Sequence, residues 1–368
     1  MAAVVQTADF LNNFVVTSDY GLFAAPSDAM LRRLLREISA IASLRQISTS
    51  DAYLNAVQQA AMGSVRGVQS LVTQPVQTLQ NVPTPIFDIF SRAGEAVGTA
   101  VSGQKTAYED SGAAQLLQMS SYKRDYAKRL GVDPYSTNPV LQKELDSVSW
   151  AAAMGNLTIG AASMAAGGPV MAALSAARNL DQANNIVASE PPAQLAIDDQ
   201  AAMNRMGIDS GLAQQFMGQK HYSPRHKYIL LTALDAMTGT AGRAALIKVS
   251  LQAPNEQFAL FYQQMAELLD GYNDRIAPIV SIQAFNRLVL ARDKTGKLIF
   301  IAPIDYMIWN ERVAYVTEWM VKELKLRPGE DKLELWITGT ASPMFKSQAE
   351  ARGIHVKDHI SAVLPLLD

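Results

Sequence analysis

The spacing of apolar residues predicts helices through most of the chain. The clearest amphipathic pattern follows Pro26, where Ser27 and Asp28 provide cap residues and apolar side chains recur three and four positions apart. These apolar positions are Leu31, Leu34, Leu35, Ile38, Ile41 and Ala42, and the pattern turns Arg32, Arg33, Arg36 and Glu37 away from them. Ser50 or Asp51 begins a second helix that runs to Gly63.

Prolines in the first turn mark further helix beginnings and extend the helical pattern. They occur at Thr84 with Pro85, Asn138 with Pro139, Gly168 with Pro169, Ser223 with Pro224, and Ala253 with Pro254. The sequence therefore predicts a helical domain over residues 26–276, preceded by a segment 1–25. In that segment residues 13–18 and 22–25 have extended character on either side of Asp19, Tyr20 and Gly21, which favours a β-hairpin.

The pattern changes near Pro278 to β-branched and aromatic alternation. Strands are predicted over 282–292 and 297–303 around the turn 293–296, and then over 332–338 and 354–356. Helices are predicted over 311–326, capped by Asn310, and from Ser342 to Gly353. The fold class is therefore mainly α with a C-terminal α/β domain, a small ββαβαβ sheet over residues 277–368 that is largely parallel with an antiparallel edge.

The amino-acid composition limits the functional classes and the cofactors that we expect. The 368 residues are 49% hydrophobic and 18% charged, with a formal net charge of -2, which is typical of a globular protein and argues against a nucleic-acid binder. The absence of cysteine excludes disulfides and thiolate chemistry, and four histidines supply few metal ligands, so we expect no metal and no cofactor. The motifs of serine hydrolases, zinc proteases, P-loops and dinucleotide-binding folds are missing, and no catalytic residue is assigned.

Residues 151–177 carry no charge and are rich in Ala, Gly, Ser and Met. The segment is long enough to span a bilayer, but Gly167, Gly168 and Pro169 divide it. Two short buried helices are the favoured interpretation; a membrane-inserting hairpin and a partner interface are the alternatives.

A basic cluster marks one candidate binding site. Its members are Lys220, Ser223, Arg225, His226 and Lys227. Cations at a helix beginning are repelled by the positive end of the helix dipole. A bound anion would offset this repulsion, because the cations and the free N–H groups of the first turn would both point towards it. The alternative is an ordinary solvated helix beginning with Ser223 as its cap. The cations between Tyr122 and Arg129 lie at a predicted helix end, where they complement the dipole.

The carboxyl ends of the predicted parallel strands mark a second candidate, because ligands of open α/β sheets bind there. The cleft residues are Asp305, Thr338, Gly339, Thr340 and Ser342. The alternative is that Asp305 and Ser342 cap helices and Gly339 lies in a turn. The acidic pair Asp198 and Asp199 is interpreted as solvated surface.

Residues 130–145 (LGVDPYSTNPVLQKEL) and the stretch REISAIASL from Arg36 resemble uncharacterised bacterial exported proteins. The likeness covers about a third of the chain and implies no activity. It implies a periplasmic location after removal of a signal peptide, whereas the sequence as written, which lacks a charged start and an apolar run, favours the cytoplasm.

These observations favour a non-catalytic binding or scaffolding role in contact with a protein partner or a membrane surface, without nucleic acid. The competing interpretation is an enzyme that uses the cleft at the carboxyl ends of the C-terminal strands.

Overall fold

A computed structural model of the protein describes residues 5–8, 10–63, 111–155, 178–285, 288–329 and 332–367. The helix beginnings expected at Pro85 and Pro169 lie outside these residues. The uncharged segment 151–177 is described only as far as Gly155, so its three interpretations stay predictions. Among the described helices, none is both long and apolar enough to cross a bilayer.

The N-terminal hairpin predicted from the sequence is confirmed. Strands β1 (Gln6–Ala8), β2 (Leu11–Ser18) and β3 (Gly21–Ala25) form an antiparallel sheet in that order, with β1 and β3 at its edges. The tight connection between β2 and β3 ends at Gly21, whose φ of +139° suits glycine.

The helices follow as α1 (Asp28–Ser48), α2 (Asp51–Gly63), α3 (Ser111–Leu130), α4 (Pro139–Gly155), α5 (Arg178–Ser189), α6 (Pro192–Arg205), α7 (Ser210–Met217), α8 (Pro224–Ala236), α9 (Ala244–Ser250) and α10 (Glu256–Arg275). The Ser27 hydroxyl accepts from the Met30 N–H, as its cap role requires. The beginning predicted at Ala253 and Pro254 is wrong by two residues, because the Asn255 side chain caps the helix by accepting from the Phe258 N–H.

The C-terminal region contains β4 (Ile279–Phe285), β5 (Leu288–Asp293), β6 (Leu298–Ala302), β7 (Tyr306–Met307), α11 (Glu311–Leu324), β8 (Leu333–Ile337), β9 (Thr340–Ala341), α12 (Pro343–Glu350) and β10 (Ile354–Lys357). Five strands form one sheet in the order β10-β8-β6-β5-β4, with β10, β8 and β6 parallel and the other two antiparallel. Every residue of β8 is buried, because both faces of the sheet are covered.

The single strand predicted over 282–292 is wrong. It is two antiparallel strands, β4 and β5, paired so that Phe285 lies opposite Leu288. Eleven extended residues would reach about 36 Å, roughly twice the length of a typical strand. The two residues between the strands, Asn286 and Arg287, include neither glycine nor proline, so the pattern gave no strong turn signal.

Two large hydrophobic cores organise the described residues, beside a small cluster of Ala183, Ile229 and Leu367. The N-terminal core, between Ala40 and Ala152, joins α1–α4, and the C-terminal core, between Ala202 and Leu366, joins α6–α10 to the five-stranded sheet. In the second core the rings of Tyr272 in α10 and Trp336 in β8 meet edge to face at 5.3 Å. The C-terminal core thus extends across the sequence boundary proposed at residues 276 and 277. That boundary stays a prediction, which fragments can test.

We expect a fragment of residues 274–368 to lack cooperative thermal unfolding, because it loses α10 and with it one covered face of the sheet. A fragment of residues 178–368 retains α5–α10 and should unfold in one cooperative transition, monitored by circular dichroism. Cooperative unfolding of the shorter fragment would show that the region from 277 onward is an independent domain.

Candidate functional site

The carboxyl ends of β6 and β8 lie side by side, as the cleft hypothesis requires. Asp305 follows β6, while Thr338 and Gly339 follow β8, and these three residues line one cavity of about 50 Å³. The remaining wall includes Ser27, Asp28 and Arg32 at the beginning of α1 and Gln264 of α10. Ligand pockets usually measure about 300–1,000 Å³. The cavity therefore has room for a few water molecules rather than a metabolite.

The Asp305 carboxylate accepts hydrogen bonds from the backbone of the chain's own N-terminal region. Its Oδ2 accepts hydrogen bonds from the backbone N–H of Asn12 at 2.9 Å and of Asp28 at 3.0 Å. In return the Phe10 carbonyl accepts from the N–H groups of Asp305 and Tyr306, at 3.1 and 3.2 Å. The carboxylate therefore lies at the N-terminus of α1, where the helix dipole favours an anion. The N-terminal strands and α1 thus occupy the edge of the sheet where a substrate would bind in other α/β proteins.

Burial raises the pKa of Asp305 to about 6, and the nearby Asp28 carboxylate adds to that effect. The two backbone hydrogen bonds and Arg32 act in the opposite direction. Position 339, beside Asp305, requires glycine, because a Cβ there would lie 1.9 Å from the Asp305 carbonyl oxygen. The close approach allows the Thr340 N–H to donate to that carbonyl at 3.0 Å.

The other two cleft residues, Thr340 and Ser342, make only local contacts outside the cavity. Ser342 caps α12 by accepting from the Phe345 N–H at 3.2 Å, and Pro343 occupies the first helical position. The Thr340 hydroxyl lies 3.4 Å from His359 Nε2. Neither residue lines the cavity at Asp305.

The members of the proposed anion cluster differ in their exposure. Lys220 is exposed, whereas Arg225 and His226 are buried. Ser223 caps α8: its hydroxyl accepts from the His226 N–H, and its own N–H donates to His226 Nδ1. Lys227 Nζ donates to the Met217 carbonyl at 2.5 Å. In this arrangement Ser223 satisfies the helix beginning, and the anion site stays a prediction.

The interpretation of Asp199 as solvated surface is wrong. Asp199 is 2% exposed, and burial raises its pKa well above the usual range, opposed by the charge of Lys227. Burial also lowers the pKa of Lys227 to about 8. The reason is that α6 packs against α8 through the face that carries Asp199, so the residue that precedes it in the sequence, Asp198, is the more accessible one.

Arg33 and Glu37, which the helical pattern predicted to face away from the apolar side of α1, belong to a polar cluster in the structure. Arg33 of α1 makes ion pairs with Glu37 at 3.1 Å, with Asp133 at 3.5 Å and with Glu256 of α10 at 2.9 Å. Glu37 is 4% exposed, so its predicted outward orientation is wrong. The spacing of Arg33 and Glu37 by four residues signals a helical ion pair but gives no sign that it is buried.

The two glutamates of this cluster are already hydrogen-bonded. Glu37 accepts from the Ser136 hydroxyl at 2.6 Å and from Asn138 Nδ2 at 2.9 Å, and Glu256 accepts from the Thr137 hydroxyl. A cavity of about 190 Å³ adjoins it, lined by Arg33, Glu37, Glu256, Ser136, Thr137, Asn138, Pro139, Phe23, Ala24, Met30 and Leu34. Because each glutamate is committed to internal donors, the cluster fits a role in joining α1, the loop 131–138 and α10.

Within the described parts of the chain, no three His, Asp or Glu side chains are grouped to hold a metal ion. Comparison with known proteins gives no match to a family model, to a curated protein or to a solved structure. The resemblance to exported bacterial proteins and the location that it implies therefore stay predictions.

Arg33→Met should destabilise the protein by about 3–5 kcal/mol, because it leaves three carboxylates close together without their cation. Arg45→Met provides a matched control: Arg45 is 45% exposed and pairs with Glu144 on the surface, so its loss should cost at most about 1 kcal/mol. Urea unfolding of both variants measures the difference. Equal stability losses would show that the Arg33 cluster is no stronger than a surface ion pair.

Proposed function

We propose that the protein is a non-catalytic binding protein that contacts a protein partner through its N-terminal hairpin. The observation that carries this proposal is the outer face of the hairpin, where Val15 and Leu22 are each 72% exposed. These are the two most exposed large aliphatic side chains of the described residues. The register places Thr17 opposite Leu22 and Val15 opposite Ala24, so Val15 and Leu22 are diagonal neighbours on one face.

The edge of the same sheet offers a second contact. Strand β3 has a neighbour on one side only, so its other side presents backbone N–H and C=O groups. An extended segment of another protein can add to such an edge, with backbone hydrogen bonds giving affinity and side-chain contacts giving specificity. An exposed apolar face beside an open strand edge suits a peptide-like partner better than a small molecule.

The position of the polar groups supports the same proposal. An enzyme site would require catalytic side chains to converge in a cleft of ligand size. Asp305 lines a cavity of only about 50 Å³, and neither Thr340 nor the residues from Lys220 to Lys227 line it. An enzyme that acts at this edge is the second candidate function. It is favoured by the raised pKa of Asp305, which would suit proton transfer.

The double variant Val15→Glu, Leu22→Glu tests the hairpin face. Both side chains are exposed, so the substitutions should change stability by less than about 1 kcal/mol. Quantitative affinity enrichment from the native cells should show at least a tenfold loss of the partner that wild type retains. Met344→Glu is the matched control, since Met344 is an exposed apolar residue, 62% accessible, in α12.

Retention of the same partner by the hairpin variant, or loss only with Met344→Glu, would contradict a contact at the hairpin. Flotation with anionic liposomes distinguishes a membrane surface: flotation of wild type that the hairpin variant abolishes would replace the protein partner by a membrane.

A further inference from the structure

We propose that the cavity beside the Arg33 cluster holds a lysine side chain of an extended partner segment that adds to β3. This inference rests on the binding role proposed above and specifies the chemistry of the partner. The observation that carries it is the juxtaposition of an open strand edge with a cavity that is lined by carboxylates and apolar side chains.

The cavity lies at the edge of β3 that faces away from β2. Its lining includes Phe23 and Ala24, whose side chains point to opposite faces of the hairpin, but no residue of β2. The pair Ser18 and Gly21 closes the two-residue turn, and hydrogen-bonded pairs alternate from there, so the N–H and C=O of Ala24 point away from β2. A strand that pairs with these groups passes beside the cavity.

The size and depth of the cavity suit one side chain. Its volume of about 190 Å³ exceeds the roughly 150 Å³ that holds a benzene molecule and is below the roughly 300 Å³ of small ligand pockets. Among its lining residues Ala24 and Thr137 are exposed, whereas Glu37 is buried, so the cavity leads from the surface towards the interior. Phe23 and Met30 offer apolar contact to the methylene groups of a lysine.

The charge of the lining favours a cation. Two carboxylates, Glu37 and Glu256, face one guanidinium, that of Arg33, which leaves one negative charge in excess. Outside the lining, Asp133 and Arg225 interact electrostatically and offset each other. An ammonium group in the cavity would therefore balance the charge of its walls.

Glu256 can accept a hydrogen bond from that ammonium group. Its bonds with Arg33 and with the Thr137 hydroxyl use two of the roughly four acceptor positions of a carboxylate. Lysine suits the remaining positions better than arginine, because a compact ammonium on a flexible stem needs less room beside Arg33 than a second planar guanidinium.

Selection of displayed peptides against the full chain tests the proposal. The probe is a library of random peptides of about ten residues, long enough for one strand. Enriched sequences should share one lysine among β-branched or aromatic residues. A synthetic enriched peptide is then compared with the same peptide carrying norleucine at that position, which keeps the apolar stem and removes the charge. In fluorescence anisotropy the norleucine peptide should bind wild type roughly thirtyfold more weakly.

Glu256→Gln should remove this difference, because the neutral amide still offers an oxygen to Arg33 but no charge to the ammonium. The lysine and norleucine peptides should therefore bind this variant about equally. Glu311→Gln is the matched control, since Glu311 is the first residue of α11 just as Glu256 is the first residue of α10. The control should retain the full difference between the two peptides.

Ala24→Pro tests the addition of a strand to β3. Proline removes the N–H that points away from β2 and leaves the pairing within the hairpin intact. It should weaken binding of the lysine peptide at least tenfold, since an added strand loses a backbone hydrogen bond and meets the proline ring. Undiminished binding would exclude strand addition at this edge.

A selection that enriches no peptide, enriched peptides without a shared lysine, or equal affinity of the two peptides for wild type would overturn the lysine site, even if Glu256→Gln does not fold. Binding that is independent of lysine but lost in the Val15→Glu, Leu22→Glu variant would refute the cavity site and retain the hairpin contact. Lysine-dependent binding that this double variant leaves unchanged would support the cavity site and contradict a contact at the outer hairpin face.

Discussion

One guanidinium, that of Arg33, connects the two cores of the protein. It lies in α1, which belongs to the N-terminal core, and pairs with Glu256 at the beginning of α10, the central helix of the C-terminal core. Glu37 and Asp133 complete its surroundings. A buried ion pair adds little net stability over an apolar substitute, yet it tolerates few alternative geometries, since each charge must meet its partner. The Arg33–Glu256 ion pair is therefore a contact that orients α1 relative to α10.

The contact between the N-terminal strands and the sheet depends on the position of α1 relative to α10. Because α1 is held on α10, its first turn meets the carboxyl edge of the sheet, and Asp305 can accept from Asp28 and Asn12 together. The same contact closes the edge that α/β enzymes use for their substrates. The outer face of the hairpin remains accessible, and it is the surface on which the proposed binding role is based.

Much of this architecture follows from local sequence signals. The helix caps Ser27, Asn310 and Ser342, the N-terminal hairpin and the alternating strands and helices of the C-terminal region are set by short-range rules, and the structure contains them. The division of 282–292 into two strands depended on pairing in the sheet, which local propensity does not report. The burial of Glu37 and Asp199 depended on which helix packs on which face, a long-range property.

The candidate site, too, could be predicted only in part from local sequence signals. The sequence placed Asp305, Thr338 and Gly339 at the carboxyl ends of neighbouring strands, and they do line one cavity. It could not show that residues 10–12 and 28 fill that edge, because they are separated from Asp305 by more than 270 positions. Nor could composition reveal that Arg225 and His226 near Ser223 are buried, since burial of such groups requires partners that are distant in sequence.

The shared C-terminal core has a consequence for synthesis on the ribosome. Helices α6–α10 leave the ribosome before the sheet that covers them, and the 89 residues from Ile279 to Leu367 must still be translated. At about 5–20 residues per second this takes roughly 5–20 seconds. During that interval the apolar faces of α8 and α10 lack their final cover, so the nascent chain presents a helical surface suited to chaperone binding.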